Sequence, residues 1–352
     1  MKNTTIGAGL LLLAFSATAE DADVESLEQG TQAVPIERTA PRYPGVELQR
    51  GRQGWVELSF VVTTDGKVID PIVQDSSGSP HFERAARDVV ADWTYEPATW
   101  NGEVVQQCDN KVLITFAVED AGKTVSRSFA RKYNKINEVL SAGDLDESGE
   151  MIDDVFDSKD LTLPEVTWLW ALEARRAGLA GDKDRQLAAV RKATKSNGRW
   201  VSDELYPSLL LIRTIRELES GNYSAAFSSH EKLLATEAEY PQLEVVQDNI
   251  DRLQGVVASN ATYSVPAKVD AGLGCEDCES KWSYRLLRHK FSLHKIDGEL
   301  GNLEIRCARQ RVVDTARPET VWEIPESWGA CSVIVFGSPG STFDLHELPE
   351  ST

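Results

Sequence analysis

Residues 54–63 read GWVELSFVVT, and their alternation decides the fold of the first structured part of the chain. Val56, Leu58, Phe60 and Val62 recur at every second position, the pattern of a half-buried strand. Asp65-Gly66 follows; both residues tolerate positive φ, so the pair suits a β-hairpin turn, and residues 68–75 form the return strand. Residues 76–80 break the pattern. Phe82, Ala85, Ala86, Val89, Val90 and Trp93 then recur at i, i+3, i+4, i+7, i+8 and i+11, which is one apolar stripe on a helix. Pro97 and Asn101-Gly102 close the helix region, and residues 111–118 (KVLITFAV) alternate again, with Val112, Ile114, Phe116 and Val118 on one side. The order strand, strand, helix, strand predicts a compact α+β domain over residues 41–120.

Upstream, residues 20–40 are acidic and poor in apolar pattern, which predicts a flexible lead-in. In front of them stand Lys2, an apolar run from Ile6 to Phe15, and Ala17-Thr18-Ala19 in the small-x-small form of a signal-peptidase site. As a helix the stretch from Ile6 to Ala19 spans about 21 Å, short of a hydrocarbon core of about 30 Å. A signal peptide over residues 1–19, cleaved after Ala19, is therefore expected, with the mature protein in the periplasm.

Downstream, residues 127–258 change to a helical period. Gly143-Asp144, Gly181-Asp182 and Gly221-Asn222 follow helical runs at intervals of 38 and 40 residues. Helix, tight turn, helix at that spacing predicts an all-α helical-repeat region, with an irregular helical bundle as the alternative. The last turn, Gly221-Asn222-Tyr223 with Ala226 behind it, resembles the inter-helix turn of tetratricopeptide repeats. Residues 260–352 turn β-like, with candidate strands at 283–296, 303–313, 320–324, 332–336 and 343–348, and predict a small β-rich domain, a sheet or a sandwich.

With 352 residues, 41% of them hydrophobic and 26% charged, the chain suits two or three globular units. Its 37 basic residues stand against 56 acidic ones, a net charge of −19. That balance argues against nucleic acid as a partner, because phosphate binding requires an excess of Lys and Arg.

Taken together, the motifs of residues 41–118 carry a resemblance. Tyr43-Pro44, Gly54, Asp65-Gly66, Ser76-Ser77-Gly78, Ala85-Ala86, Trp93-Thr94-Tyr95-Glu96-Pro97, Asn101-Gly102 and Phe116 stand in the order and spacing of the C-terminal domain of the TonB energy-transducer family. The resemblance implies that the domain binds the N-terminal box of an outer-membrane TonB-dependent receptor, which adds a strand to the edge formed by the last β-strand. Carried over, the partner-binding residues are Arg42 and Tyr43 with Lys111, Val112, Leu113, Ile114, Thr115, Phe116, Ala117 and Val118. Such an edge offers unpaired N–H and C=O groups to an extended peptide. Typical members of the family keep an inner-membrane helix and a long Pro-rich spacer before this domain and end their chain with it. Here a cleavable signal and a lead-in with one Pro precede it, and further domains follow, so an adaptor role is expected beside the transducer role, with the helical repeats as a second protein-binding surface.

The five cysteines are Cys108, Cys275, Cys278, Cys307 and Cys331. Export would place them in an oxidising compartment. Cys307 and Cys331 lie at the ends of two expected strands and are the favoured disulfide. Cys275-Glu276-Asp277-Cys278 reads as a structural bridge, because its acidic interior opposes a reactive thiolate. His289 and His294 complete a C-x2-C-x10-H-x4-H spacing close to that of a zinc finger, but a separation of five on a strand puts the two on opposite faces. No nucleophile motif or phosphate-cradling loop is recognisable, and Gly337-Ser338-Pro339-Gly340 reads as a turn. No cofactor, metal or enzymatic activity is expected. A cell-envelope scaffold is the first alternative, and a thiol oxidoreductase centred on Cys275 and Cys278 the second.

Overall fold

The computed structural model describes residues 30–118, 123–270 and 279–349. The expected signal peptide and the Cys275–Cys278 motif lie outside the described residues.

The first module contains β1 (Gly30–Thr31), β2 (Val34–Glu37), α1 (Gly45–Gln49), β3 (Gly54–Val62), β4 (Val68–Ser76), α2 (Pro80–Ala91), β5 (Thr94–Glu96), β6 (Ala98–Trp100), β7 (Glu103–Val105) and β8 (Gln107–Phe116). Its main sheet is antiparallel in the order β4-β3-β8. Pro80 opens α2, where its missing N–H costs no hydrogen bond, and the Ser79 hydroxyl accepts from the Phe82 amide at 3.4 Å. The α2 stripe of Phe82, Ala86 and Val90 packs on Val56, Leu58, Phe60, Ile114 and Phe116 of the sheet. Phe82 stacks on Phe116 with ring centroids 4.4 Å apart. Each large apolar side chain so buried stabilises the module by about 2 kcal/mol.

Several sequence expectations change here. Residues 30–37, expected within a flexible lead-in, form strands: β1 pairs with β6, and β2 with β5. These pairings rest on main-chain bonds, and Val34 and Ile36 remain exposed, so no buried alternation advertised them. Asn101 and Gly102, with φ of 50° and 82°, turn the β6–β7 hairpin. The last long strand runs Gln107–Phe116, starting before Lys111 and leaving Ala117 and Val118 beyond it. Finally, β3 is buried on both faces: Trp55, on the face away from α2, is only 1% exposed.

The helical module comprises α3 (Arg127–Ala142), α4 (Leu145–Phe156), α5 (Leu163–Ala180), α6 (Lys183–Ala193), α7 (Leu205–Glu219), α8 (Tyr223–Leu234) and α9 (Leu243–Ala258). α3 packs on α4, α5 on α6 and α7 on α8, and each pair packs on the next. Gly143 and Gly181 end α3 and α5 at φ of 87° and 74°, conformations that cost glycine little. Asp144 and Asp182 then cap the next helices, each accepting a backbone N–H at 3.0 Å. Buried Glu217 on α7 ties the last pairs together through Arg191 at 3.1 Å, Arg213 at 3.0 Å and the Ser229 hydroxyl at 2.6 Å.

The last module is an antiparallel sandwich of β9 (Tyr263–Lys268), β10 (Lys281–Arg285), β11 (Lys290–Asp297), β12 (Leu300–Cys307), β13 (Arg311–Thr315), β14 (Val321–Glu323), β15 (Cys331–Gly337) and β16 (Thr342–Glu347). Its sheets run β10-β15-β12-β13 and β14-β11-β16-β9, and their inner faces share one core that includes Leu303, Val333, Phe291 and Leu345. Residues 283–296 are thus two strands in different sheets, and 303–313 are two strands of a hairpin. The turns between them, LLRH and ARQ, contain no Gly or Pro to mark a break. β9 was not foreseen. Cys307 and Cys331 sit directly opposite each other on β12 and β15 and are bridged, with Cα atoms 3.9 Å apart. His289 lies 3.2 Å from the Gly329 carbonyl, and His294 stacks on His346 at 4.1 Å.

Helices and sandwich together cover the back of the β4-β3-β8 sheet. Trp55 meets Leu163 and Trp200 there, with Leu113 alongside. Lys192 and Lys195 reach Asp75 at 2.9 and 3.1 Å, and Lys195 also reaches Glu57 at 3.1 Å. From the sandwich, Arg306 donates to the Asp70 carbonyl at 3.1 Å, Arg311 pairs with Asp70 at 2.9 Å, and Arg309 lies 3.8 Å over the Trp100 ring. Arg288 joins sandwich to helices: its guanidinium donates to the carbonyls of Val256, Val257, Ser259 and Ala261 at 2.7–3.0 Å, which places a charged donor at the C-terminal end of α9.

Candidate partner-binding edge

The residues singled out from the sequence lie mostly on β8, one of the two outer strands of its sheet. Opposite pairs run Gly54 to Phe116, Trp55 to Thr115, Val56 to Ile114, Glu57 to Leu113, Leu58 to Val112 and Ser59 to Lys111. Which amides face outward follows from Trp55. Its N–H donates to the Ser77 hydroxyl at 3.0 Å and its carbonyl accepts from the Ser77 amide at 2.9 Å, so both groups point toward β4. Successive residues of a strand alternate, and Val56 therefore turns both of its groups toward β8. Its opposite, Ile114, lies in the ladder, together with Val112 and Phe116. Lys111, Leu113 and Thr115 turn their amides to the free side.

The side chains of β8 divide accordingly. Ile114 and Phe116 are buried under α2, with Val112 partly so. Leu113 packs on the back face near Trp55, whereas Lys111, Thr115, Ala117 and Val118 are exposed. The face opposite α2 is therefore not open to solvent along its whole length, but among the described residues no strand pairs with the outer side of β8. Toward the start of β8 the free run stops. A bulge near Cys108 interrupts the register, and the Cys108 amide donates to the Ala308 carbonyl of the sandwich at 3.4 Å. Burial pushes the Cys108 thiol up to about 12, which leaves it protonated and unreactive.

Arg42 is exposed at the approach to α1. Tyr43 is half-buried: its ring meets Phe82 and Phe116 edge-on at 5.7 and 5.9 Å, and its hydroxyl donates to the Arg52 carbonyl, so it seals the core beside the end of β8. Trp93 is buried, donates to the Thr39 carbonyl at 2.9 Å and lies under Arg38 at 5.2 Å. Arg38 was not foreseen, nor was the stop at Ala308. Trp55 and Leu113, apolar residues on the side away from α2, were the signals available for a covered back face.

Residues 39–118 match the family model described as Gram-negative bacterial TonB protein C-terminal. This segment belongs to the TonB C-terminal family. Protein TonB of Pseudomonas aeruginosa is 33% identical over 85 residues, which are 24% of this chain and 25% of that protein. The chain thus spans about a quarter of that curated relative's length. Two solved structures are similar: the solution NMR structure of the Pseudomonas aeruginosa TonB CTD, 27% identical, covering 27% of this chain and 91% of that one with a TM-score of 0.21; and the tonb2 protein from Vibrio anguillarum, 28% identical, covering 33% and 99% with a TM-score of 0.21. The TonB domain is the part of the chain that these comparisons reach.

Proposed function

We propose that this chain is a periplasmic, non-enzymatic TonB-family protein that receives an extended segment of an outer-membrane TonB-dependent receptor along β8, as transducer or adaptor in transport across the outer membrane. The observation that carries the reading is the outward direction of the Lys111, Leu113 and Thr115 amides on an outer strand whose second side pairs with no strand among the described residues. Main-chain pairing of this kind accepts an extended partner with little demand on its side chains. The back of the sheet is covered, so a partner strand adds at an edge, and β8 is one of the two outer strands. The helical module, whose last turn at Gly221-Asn222-Tyr223 resembles that of tetratricopeptide repeats, offers a second surface for periplasmic proteins.

Export rests on the cleavable-looking signal ending at Ala19. The test of the function is a titration of the isotope-labelled full chain with a peptide copying a receptor N-terminal box from the same organism. Amide shifts concentrated at Lys111, Leu113 and Thr115 support the reading. Shifts confined to the helical module, with β8 unmoved, favour a scaffold instead.

A further inference from the structure

Where β8 meets the other two modules, a cleft of about 540 Å³ opens. That volume lies in the range that small-molecule sites occupy, about 300–1,000 Å³. Its charged lining is Lys111 from β8, Arg213 from α7, Arg285 and Arg306 from the sandwich, and a single carboxylate, Asp109. In a chain where acids outnumber bases 56 to 37, four cations around one acid is a local inversion of charge. Two of the cations are already paired with buried carboxylates: Arg213 donates to Glu217 at 3.0 Å and Arg306 to Glu304 at 2.6 Å. The other two, Lys111 and Arg285, are exposed and have no ion pair among the described residues. Hydroxyls of Ser224, Ser228 and Ser283 complete the polar wall.

We propose that this cleft binds a small anionic solute carrying a phosphate or carboxylate group. Lys111 and Arg285 supply the unspent charge from two different modules, and charge-assisted hydrogen bonds to one anion satisfy both. The serines add donors suited to the oxygens of a hydroxylated ligand. Binding bridges the TonB domain to the sandwich, and it requires no strand on β8, so it stands or falls independently of the partner reading.

The test is isothermal titration calorimetry of the full mature chain at low ionic strength with sodium phosphate, sodium citrate and, as a neutral control, glycerol. Saturable one-site binding of at least one anion, with none of glycerol, is expected; tighter binding of phosphate points to a phosphate-bearing solute, tighter binding of citrate to a carboxylate. Arg285→Ala weakens the affinity by about tenfold, as loss of one charge-assisted contact does. Lys111→Gln weakens it comparably, and the double variant abolishes it. Lys135→Gln, an exposed lysine on α3, leaves it unchanged. Failure of both anions to saturate, or wild-type affinity in Arg285→Ala and Lys111→Gln alike with circular dichroism unaltered, overturns the proposal.

Discussion

Lys192 on α6 places its Nζ 2.9 Å from Oδ1 of Asp75 on β4, and the pair fastens the helical module to the back of the TonB sheet. Burial opposes the charge on Asp75, but Lys195 and Lys192 outweigh it and hold the carboxyl at about 2, below the ordinary 3.8. A carboxyl whose pKa is lower in the folded state stabilises the fold above its unfolded pKa, and that contribution is lost as pH falls through the folded value. For Asp75 it amounts to about 2 kcal/mol at neutral pH and disappears between about pH 4 and pH 2.

Asp75→Asn should therefore lower the stability measured by urea titration at neutral pH by about 3 kcal/mol, since Lys192 and Lys195 lose a buried counter-charge. The difference from wild type should shrink as the titrations are repeated toward about pH 2. A constant difference across that range would assign the loss to packing instead.

Arg288 is held against the end of α9 by four carbonyls of that helix and the residues just after it. Arg288→Ala should destabilise the chain by about 3 kcal/mol, because the carbonyls of Val257, Ser259 and Ala261 lose this charged donor. Hydrogen exchange should accelerate first in the last turn of α9 (Leu243–Ala258). Arg288→Lys should recover little, since one ammonium cannot reach acceptors arranged for a planar fork.

Much of this architecture was legible because local pattern and final burial agree. Val56, Leu58, Phe60 and Val62 alternate and are all buried under α2, and the α2 stripe faces them. The Gly-Asp turns mark helix ends because Gly143 and Gly181 adopt conformations that other residues avoid and Asp144 and Asp182 supply the caps. What stayed hidden depends on distant partners. Trp55 lies on a face whose cover, Leu163 and Trp200, comes from more than 100 residues away, and the Ala308 stop at Cys108 lies still farther along. The outward parity of β8 follows from a hydrogen bond to Ser77, which no periodicity encodes.

The Cys307–Cys331 bridge joins neighbouring strands and closes a loop with a sequence separation of 24. In the chain-entropy picture that closure contributes about 3 kcal/mol. Non-reducing peptide mapping should return the two cysteines in one linked fragment. Cys307→Ser together with Cys331→Ser should lower the unfolding midpoint of the sandwich while leaving amide shifts of β8 beyond Lys111 in place.

The most direct measurement of the central claim compares two proline variants of β8 in the full chain. Proline removes one N–H and is tolerated only where that N–H faces away from the ladder. Ile114→Pro should fail to fold the TonB domain, because the Ile114 amide pairs with β3 and its side chain is buried. Thr115→Pro should keep wild-type circular dichroism, because the Thr115 amide points outward, and should lose binding of the receptor-box peptide by about tenfold or more. A folded Thr115→Pro chain that binds the peptide as tightly as wild type would contradict strand addition at β8.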